Sequence, residues 1–172
     1  DSRRRQRSRV GQRMNAGHLP ILQVALPLIA APLCVLLRRP TLAWAFATLV
    51  SWALLAMSIL LLIRVMADGV ISYHLGGWAP PFGIEYRLDA LNCFVLLVIS
   101  AIAAVVTPYM RESVASEIAA PRHNLFYGLY LLALTGLLGI AATGDAFNMY
   151  VFMEISSLAS YVLIGLGSSR RA

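Results

Sequence analysis

Five long apolar runs, separated by short polar or arginine-containing segments, dominate the chain. They cover residues 19–37, 41–63, 91–108, 125–142 and 146–166. Each run has about the length, roughly 20 residues, that a helix needs to cross the hydrocarbon core of a bilayer. The pattern therefore predicts an all-α, polytopic transmembrane bundle of five helices.

A different pattern separates the second run from the third. Residues 67–87 read ADGVISYHLGGWAPPFGIEYR, with five glycines and prolines in the central part and a β-prone arm on either side. Two such arms around a Gly/Pro turn predict a short β-hairpin between helices 2 and 3. Tyr73, Trp78 and Tyr86 are residues typical of the membrane–water interface, so we expect the hairpin to lie on the membrane surface.

Composition agrees with a membrane protein and limits the functions to consider. Hydrophobic residues make up 59% of the chain, charged residues only 13%, and the mean hydropathy is +0.74. All 14 basic residues are arginine, and six of them lie in the first thirteen residues. The positive net charge thus belongs to this N-terminal segment, so it does not indicate nucleic-acid binding.

The segment 1–13, DSRRRQRSRVGQR, is polar and is expected to be a disordered tail preceding a transmembrane domain over residues 14–172. Met14 follows it directly, and MNAGHLP resembles a natural start, which favours upstream translation or a leader that is not native. The alternative is a tether to anionic lipid head groups, at about 1 kcal/mol per arginine near the surface.

Arginines flanking the runs predict an orientation. Five spans place the two termini on opposite sides, and cytoplasmic loops are richer in Lys and Arg. The side that holds the C-terminus carries six arginines and the other side two, the tail excluded. The six are Arg38, Arg39, Arg111, Arg122, Arg170 and Arg171; the two are Arg64 and Arg87. We therefore expect the N-terminus outside and the C-terminus in the cytoplasm. The tail would add six charges to the outer side, a further reason to expect that it is not native.

The last apolar run contains a glutamate. In GDAFNMYVFMEISSLASYVLIGLG, residues 144–167, Glu154 is the only charged residue between Ala146 and Leu166. It lies eight residues beyond Ala146, about 12 Å along a helix and near the bilayer midplane. An ionised carboxyl at that depth costs several kcal/mol, because the charged form loses its hydration. The position predicts a site that takes up and releases H⁺; the alternative is a carboxyl that is only hydrogen-bonded to a neighbouring helix.

Three polar residues share the helical face of Glu154. Tyr150, Ser157 and Tyr161 lie four residues before, three after and seven after it, so they are on the same side of a helix. This face is expected to point into protein or a hydrated cavity rather than into lipid.

The other polar residues have structural explanations that are at least as good. Asp89 and Asp145 precede apolar runs, where helix N-capping is expected. His18, His74 and His123 lie at the ends of runs or in the hairpin and are interpreted as interfacial.

The sequence gives no motif for a catalytic, metal or cofactor site. Cys34 and Cys93 are isolated in apolar runs and are interpreted as core residues. There is neither a cysteine cluster nor a GxGxxG motif for a flavin, an iron–sulfur cluster or a nicotinamide.

Two segments carry a family resemblance. YHLGGWAPPFGIEYRLDALNCFVLL and NLFYGLYLLALTGLLGIAATGDAFNMYVFMEISSLASYVLIGLG resemble the antiporter-like subunits shared by respiratory complex I and the Mrp-type cation/proton antiporters, with the D subunit of the Mrp type as the nearest match. The resemblance implies a bundle of about fourteen helices with two inverted five-helix repeats. It also implies that Glu154 corresponds to the key glutamate on the family's fifth helix, which interacts with a lysine on a broken seventh helix. This chain has no lysine and reaches only the fifth helix, so it resembles the N-terminal third of such a subunit.

The function implied by the resemblance is that of the N-terminal part of a proton-translocating Mrp-type antiporter subunit in a bacterial inner membrane. Its partners would be other membrane subunits, H⁺, and sodium or potassium. No enzymatic activity is expected of the chain itself, since any NADH:quinone oxidoreductase activity would belong to a larger complex. The alternative is a truncated, non-conducting structural subunit that packs within such a complex.

Overall fold

A computed structural model describes residues 18–74 and 84–167 of the protein. The Arg-rich tail, the centre of the hairpin with Trp78, and the C-terminal Arg170 and Arg171 lie outside these ranges. The described chain forms five helices, two strands and a short 3₁₀ turn. They are α1 (Leu19–Leu36), α2 (Pro40–Asp68), β1 (Ile71–His74), β2 (Glu85–Leu88), α3 (Ala90–Glu117), the 3₁₀ turn (Ala120–Arg122), α4 (His123–Ala142) and α5 (Ala146–Leu166). All five helices are long and apolar enough to cross a membrane, so the predicted fold, five spans with a hairpin between helices 2 and 3, is confirmed.

Two helices extend beyond their apolar runs. The helix α2 continues five residues past Ile63 to Asp68, and α3 continues nine residues past Pro108 to Glu117. These extensions are mostly polar or exposed, as expected for helix ends that leave the hydrocarbon. Pro108 does not end α3, because neighbouring groups can satisfy backbone atoms that a proline frees in a membrane helix.

The helix α4 is the centre of the bundle and α5 lies at its edge. In the most apolar stretch of each, 61% of residues are buried for α4 but only 17% for α5. Glycines allow the close packing that surrounds α4. A side chain at Gly128 would meet the carbonyl oxygen of Ala31 on α1 at 2.9 Å, and one at Gly136 would meet Ser156 on α5 at 2.6 Å. Gly128 and Gly136 therefore lie where α4 packs closely against α1 and α5.

The hairpin connects the ends of three helices. After α2 the chain turns at Gly69, which has a positive φ of 86°, and β1 then pairs antiparallel with β2, Ile71 opposite Leu88 and His74 opposite Glu85. The hydroxyl of Tyr73 lies 3.0 Å from Nδ1 of His18, so the start of α1 is on the same side of the bundle. That arrangement is required if five spans alternate in direction.

Candidate functional site

The four polar residues that the sequence predicts for the site lie on the side of α5 that faces away from the bundle. The inward side is formed by the buried residues Asn148, Phe152, Ala159 and Leu166. Two residues along a helix correspond to a rotation of about 200°, so Tyr150, Glu154, Ser157 and Tyr161 fall on the opposite side. We call these four residues the outer face of α5.

No helix of the described chain covers this outer face. Tyr150 is 57% exposed and Tyr161 70% exposed, while Glu154 is exposed and Ser157 half-buried. The structure thus places the four predicted residues together. The expectation that this face points into protein or a hydrated cavity rather than into lipid concerns surroundings beyond the described helices, and it stays a prediction.

The Glu154 carboxylate forms no hydrogen bond or ion pair with any residue of segments 18–74 and 84–167. Helix α5 packs against α4, but Glu154 points away from α4 and so has no hydrogen-bond or ion-pair partner on that helix. The alternative interpretation, a carboxyl held by a neighbouring helix, therefore finds no partner in the described part of this chain.

The first turn of α5 is fixed by its own capping residue. The Asp145 carboxylate accepts hydrogen bonds from the backbone amides of Phe147 (3.2 Å) and Asn148 (3.3 Å). These amides have no partner within the helix, so the N-cap satisfies them. The negative charge of the carboxylate also interacts favourably with the positive end of the helix dipole. The amide side chain of Asn148 donates to the Thr143 hydroxyl at 3.1 Å, which links this turn to the end of α4.

Strand β2 holds the same turn from outside the membrane helices. Tyr86 forms an isolated bridge with Thr143, and the amide of Gly144 donates to the carbonyl of Glu85 at 2.9 Å. A side chain at Gly144 would lie 2.9 Å from Cβ of Arg87, so the strand and the turn are in direct contact. Burial raises the pKa of the Tyr86 phenol, while the nearby Asn148 side chain acts in the opposite direction. The hairpin therefore sets the position at which α5 enters the bundle.

The other predicted polar residues have structural partners at helix ends or in the hairpin. Asp89 caps α3 by accepting from the amide of Asn92 at 2.8 Å. His74 lies 3.8 Å from the Glu85 carboxylate, and His123 lies 2.9 Å from the carbonyl oxygen of Ile118. These contacts agree with capping and interfacial roles.

Neither cysteine contributes to a visible reactive site. Cys34 and Cys93 are free thiols with no exposed surface. Within residues 18–74 and 84–167, no group of three His, Cys, Asp or Glu side chains could hold a metal ion.

A second set of polar residues, inside the bundle, was missed by the sequence reasoning. Its members are fully buried and lie on α1, α2, α3 and α4: Gln23, Ser51, Ser58, Ser100, Thr107 and Thr135. A signal was present in the sequence, since Ser51 and Ser58, and likewise Ser100 and Thr107, are seven residues apart and so recur on one helix face. The two pairs meet across α2 and α3, with Ser58 and Ser100 at 2.8 Å and Ser51 and Thr107 at 3.2 Å.

Comparison with known proteins identifies membrane subunits with similar sequences. The chain is 41% identical over 160 residues to NADH-quinone oxidoreductase subunit N of Desulforudis audaxviator, an alignment that covers 89% of this chain. It is 30% identical over 154 residues to the D subunit of the Na⁺/H⁺ antiporter of Alkalihalophilus pseudofirmus, again over 89% of this chain. The chain is a homologue of these antiporter-like membrane subunits. The resemblance seen in the sequence is confirmed.

A solved structure supports the same relationship. The Mrp complex from Dietzia sp. contains a chain that superimposes with a TM-score of 0.77 and 28% identity, over 91% of this chain. Comparison with protein-family profiles gives no match. The chain spans about a third of the length of the curated relatives, 31% of each of the two named above, and 28% of the Mrp chain.

Proposed function

We propose that this chain is part of a proton-translocating membrane subunit of a multisubunit monovalent cation/proton antiporter, and that Glu154 is the group that binds and releases the proton. The five helices form the part of the subunit that presents this acid. Further membrane helices of the assembly complete the path on the outer face of α5.

The observation that carries the proposal is the position of Glu154. It lies about 12 Å from the start of α5 by helix geometry, on a face that the described helices leave uncovered, without a partner among them. A carboxylate at that depth in lipid costs several kcal/mol. The Glu154 carboxyl can be both protonated and ionised only if an adjacent helix or a hydrated cavity covers it and supplies charge or water. The relatives named as an antiporter subunit and as a respiratory-complex subunit support this interpretation.

The phenols and the hydroxyl of the outer face have a supporting role in the proposal. Tyr150 and Tyr161 are one turn before and two turns after Glu154, and Ser157 is between them on the same face. Each can donate or accept a hydrogen bond. They can therefore order water beside the carboxyl and stabilise it in either protonation state.

The proposal includes an orientation in a bacterial inner membrane. The described arginines Arg38, Arg39, Arg111 and Arg122 lie on the side of the loops α1–α2 and α3–α4, and Arg64 and Arg87 on the hairpin side. By the positive-inside rule the hairpin faces outward and the two loops face the cytoplasm.

The test is Glu154→Gln in the complete assembly. The amide keeps the size of the side chain but cannot exchange a proton, so exchange should be abolished. Everted membrane vesicles energised with a respiratory substrate acidify, and a ΔpH-sensitive dye reports the loss of ΔpH on adding Na⁺ or K⁺. Vesicles with Glu154→Gln should show no cation-dependent signal, while Glu154→Asp, which keeps the carboxyl, should retain part of it.

A matched control separates transport from assembly. Glu112→Gln removes a carboxylate of the same kind from an exposed position on the polar end of α3 and should leave exchange intact. Co-purification of the other subunits shows that each variant is incorporated. Normal exchange in an assembled Glu154→Gln complex would refute the proposed role.

A second function, a non-conducting structural subunit, is favoured by one observation. Apolar residues beside the outer face, including Leu158 and Ile164, are 60% and 78% exposed, so α5 offers a surface on which another membrane subunit can pack. If the chain acts only through this surface, Glu154→Gln leaves exchange unchanged, whereas Leu158→Trp or Ile164→Trp releases the neighbouring subunits from the purified complex.

A further inference from the structure

Three helices meet at a buried glutamine in the interior of the bundle, on the far side from Glu154. Gln23 of α1 has no exposed surface. Its amide nitrogen donates to the Ser58 hydroxyl of α2 at 2.6 Å and lies 3.3 Å from both the Ser100 hydroxyl of α3 and the carbonyl oxygen of Leu54. The side chain therefore joins α1 to α2 and α3.

The amide oxygen of Gln23 is left without a donor. Oε1 is buried and has no hydrogen-bond partner. Interchanging the oxygen and nitrogen of the amide would let the oxygen accept from the Ser58 hydroxyl. The amide nitrogen would then occupy the buried place without an acceptor, and the oxygen would face the carbonyl of Leu54, which can only accept. One amide atom of Gln23 is therefore unpaired in either orientation. In the interior of a membrane protein there is no bulk water to satisfy such an atom.

Pro27 leaves a second acceptor of Gln23, its backbone carbonyl, without its usual donor. Residue 27 is one helical turn after Gln23, and an alanine or leucine there would donate its amide hydrogen to the Gln23 carbonyl. Pro27 has no amide hydrogen, and it is fully buried on the same side of α1 as Gln23. The backbone carbonyl of Gln23 therefore lacks its usual amide donor from residue 27, in addition to the unpaired side-chain oxygen.

We propose that one water molecule binds between α1, α2 and α3 and donates a hydrogen bond to Oε1 of Gln23. The Gln23 carbonyl and the hydroxyls of Ser58 and Ser100 are its further partners. Buried water characteristically makes about three hydrogen bonds to polar groups that are otherwise unsatisfied, and this site offers that number. The water completes a polar contact that fixes the three helices relative to one another, and it is independent of proton transfer at Glu154.

The experiment is hydroxyl-radical labelling of the membrane-embedded chain by X-ray pulses, read by mass spectrometry. Radicals form from water where it is bound, so a buried side chain beside a bound water is oxidised despite having no exposed surface. Leu54, whose carbonyl faces the Gln23 amide, should be oxidised faster than Leu131 of α4, which is equally buried. In Gln23→Met, which has a similar length but no polar atoms, the rate at Leu54 should fall to that of Leu131.

Two further measurements keep the proposal open to refutation if Gln23→Met fails to fold. Pro27→Ala restores an amide donor to the Gln23 carbonyl and should lower the Leu54 rate while helix α1 is retained. Density from a high-resolution structure of the unmodified chain in its assembly should show a water within hydrogen-bonding distance of Oε1. Equal oxidation of Leu54 and Leu131 in the unmodified chain, an unchanged Leu54 rate in folded Gln23→Met, or well-resolved density without a water would each overturn it.

Discussion

Replacing glycine by alanine should have different effects on stability at two positions, Gly136 in the contact between α4 and α5 and Gly165 outside it. A methyl group at Gly136 would lie 2.6 Å from Cβ of Ser156 and 2.7 Å from the carbonyl oxygen of Phe152. Ordinary contacts between such atoms are about 3.5–4.0 Å, so α5 would have to move outward by about 1 Å. Because the atoms it meets include backbone, a change of rotamer cannot relieve the clash. Gly136→Ala should therefore destabilise the bundle by about 1–3 kcal/mol, the usual cost of overpacking.

Gly165→Ala is the matched control on the neighbouring helix. Nothing lies within 4 Å of a side chain at Gly165, and alanine is favoured over glycine in a helix by up to ~1 kcal/mol. This substitution should leave the bundle as stable as before or slightly more stable.

Thermal unfolding measured with a thiol-reactive dye can report both variants. Cys34 and Cys93 have no exposed surface, so the dye reacts only when the helices separate. A change of 1 kcal/mol shifts the midpoint by about 2–4 °C for a chain of this size. If Gly136→Ala melts at or above the temperature of the unmodified chain, the described α4–α5 contact is wrong.

Two further predictions concern the hairpin and the orientation. Because burial raises the pKa of Tyr86 above the ordinary value near 10, the folded chain holds this proton more tightly than the unfolded chain; its contribution is complete below pH ~10 and is lost as the pH rises through the folded-state pKa. Tyr86→Phe should remove that part of the alkaline destabilisation, and melting curves at pH 8 to 11 with equal slopes for both chains would contradict the burial. In a chain whose two native cysteines are replaced by alanine, Ser72→Cys in the hairpin should react with a membrane-impermeant maleimide added outside intact cells, whereas Ser116→Cys near the end of α3 should react only in everted vesicles. The reverse pattern would overturn the proposed orientation.

The number and order of the elements could be predicted because each depends on local sequence. A run of about 20 apolar residues spans the bilayer as a helix whatever its neighbours are, and a Gly/Pro turn between β-prone arms forms a hairpin from short-range interactions. Caps such as Asp89 and Asp145 also act within one turn. The lengths of α2 and α3 were less predictable, because a helix continues past the apolar residues when its polar end is solvated.

The contacts between elements could not be predicted in the same way. The sequence showed that Tyr150, Glu154, Ser157 and Tyr161 share a face, but only the packing of α5 against α4 showed which direction that face points. Nor could the pairing of β2 with the α4–α5 turn be read from the sequence, because it joins residues about 57 positions apart in the chain, Tyr86 and Thr143.

By itself, the sequence determined that this is a five-span membrane chain with an acid in the middle of its last span, because hydrophobicity and helix periodicity are properties of consecutive residues. Only the tertiary structure decided that this acid faces away from the bundle and that Gln23, Ser58 and Ser100 meet inside it. Such facts depend on which faces of separate helices come together. That choice is made by close packing at residues such as Gly128 and Gly136, and the spacing of residues along one helix does not say which face of another helix it will meet.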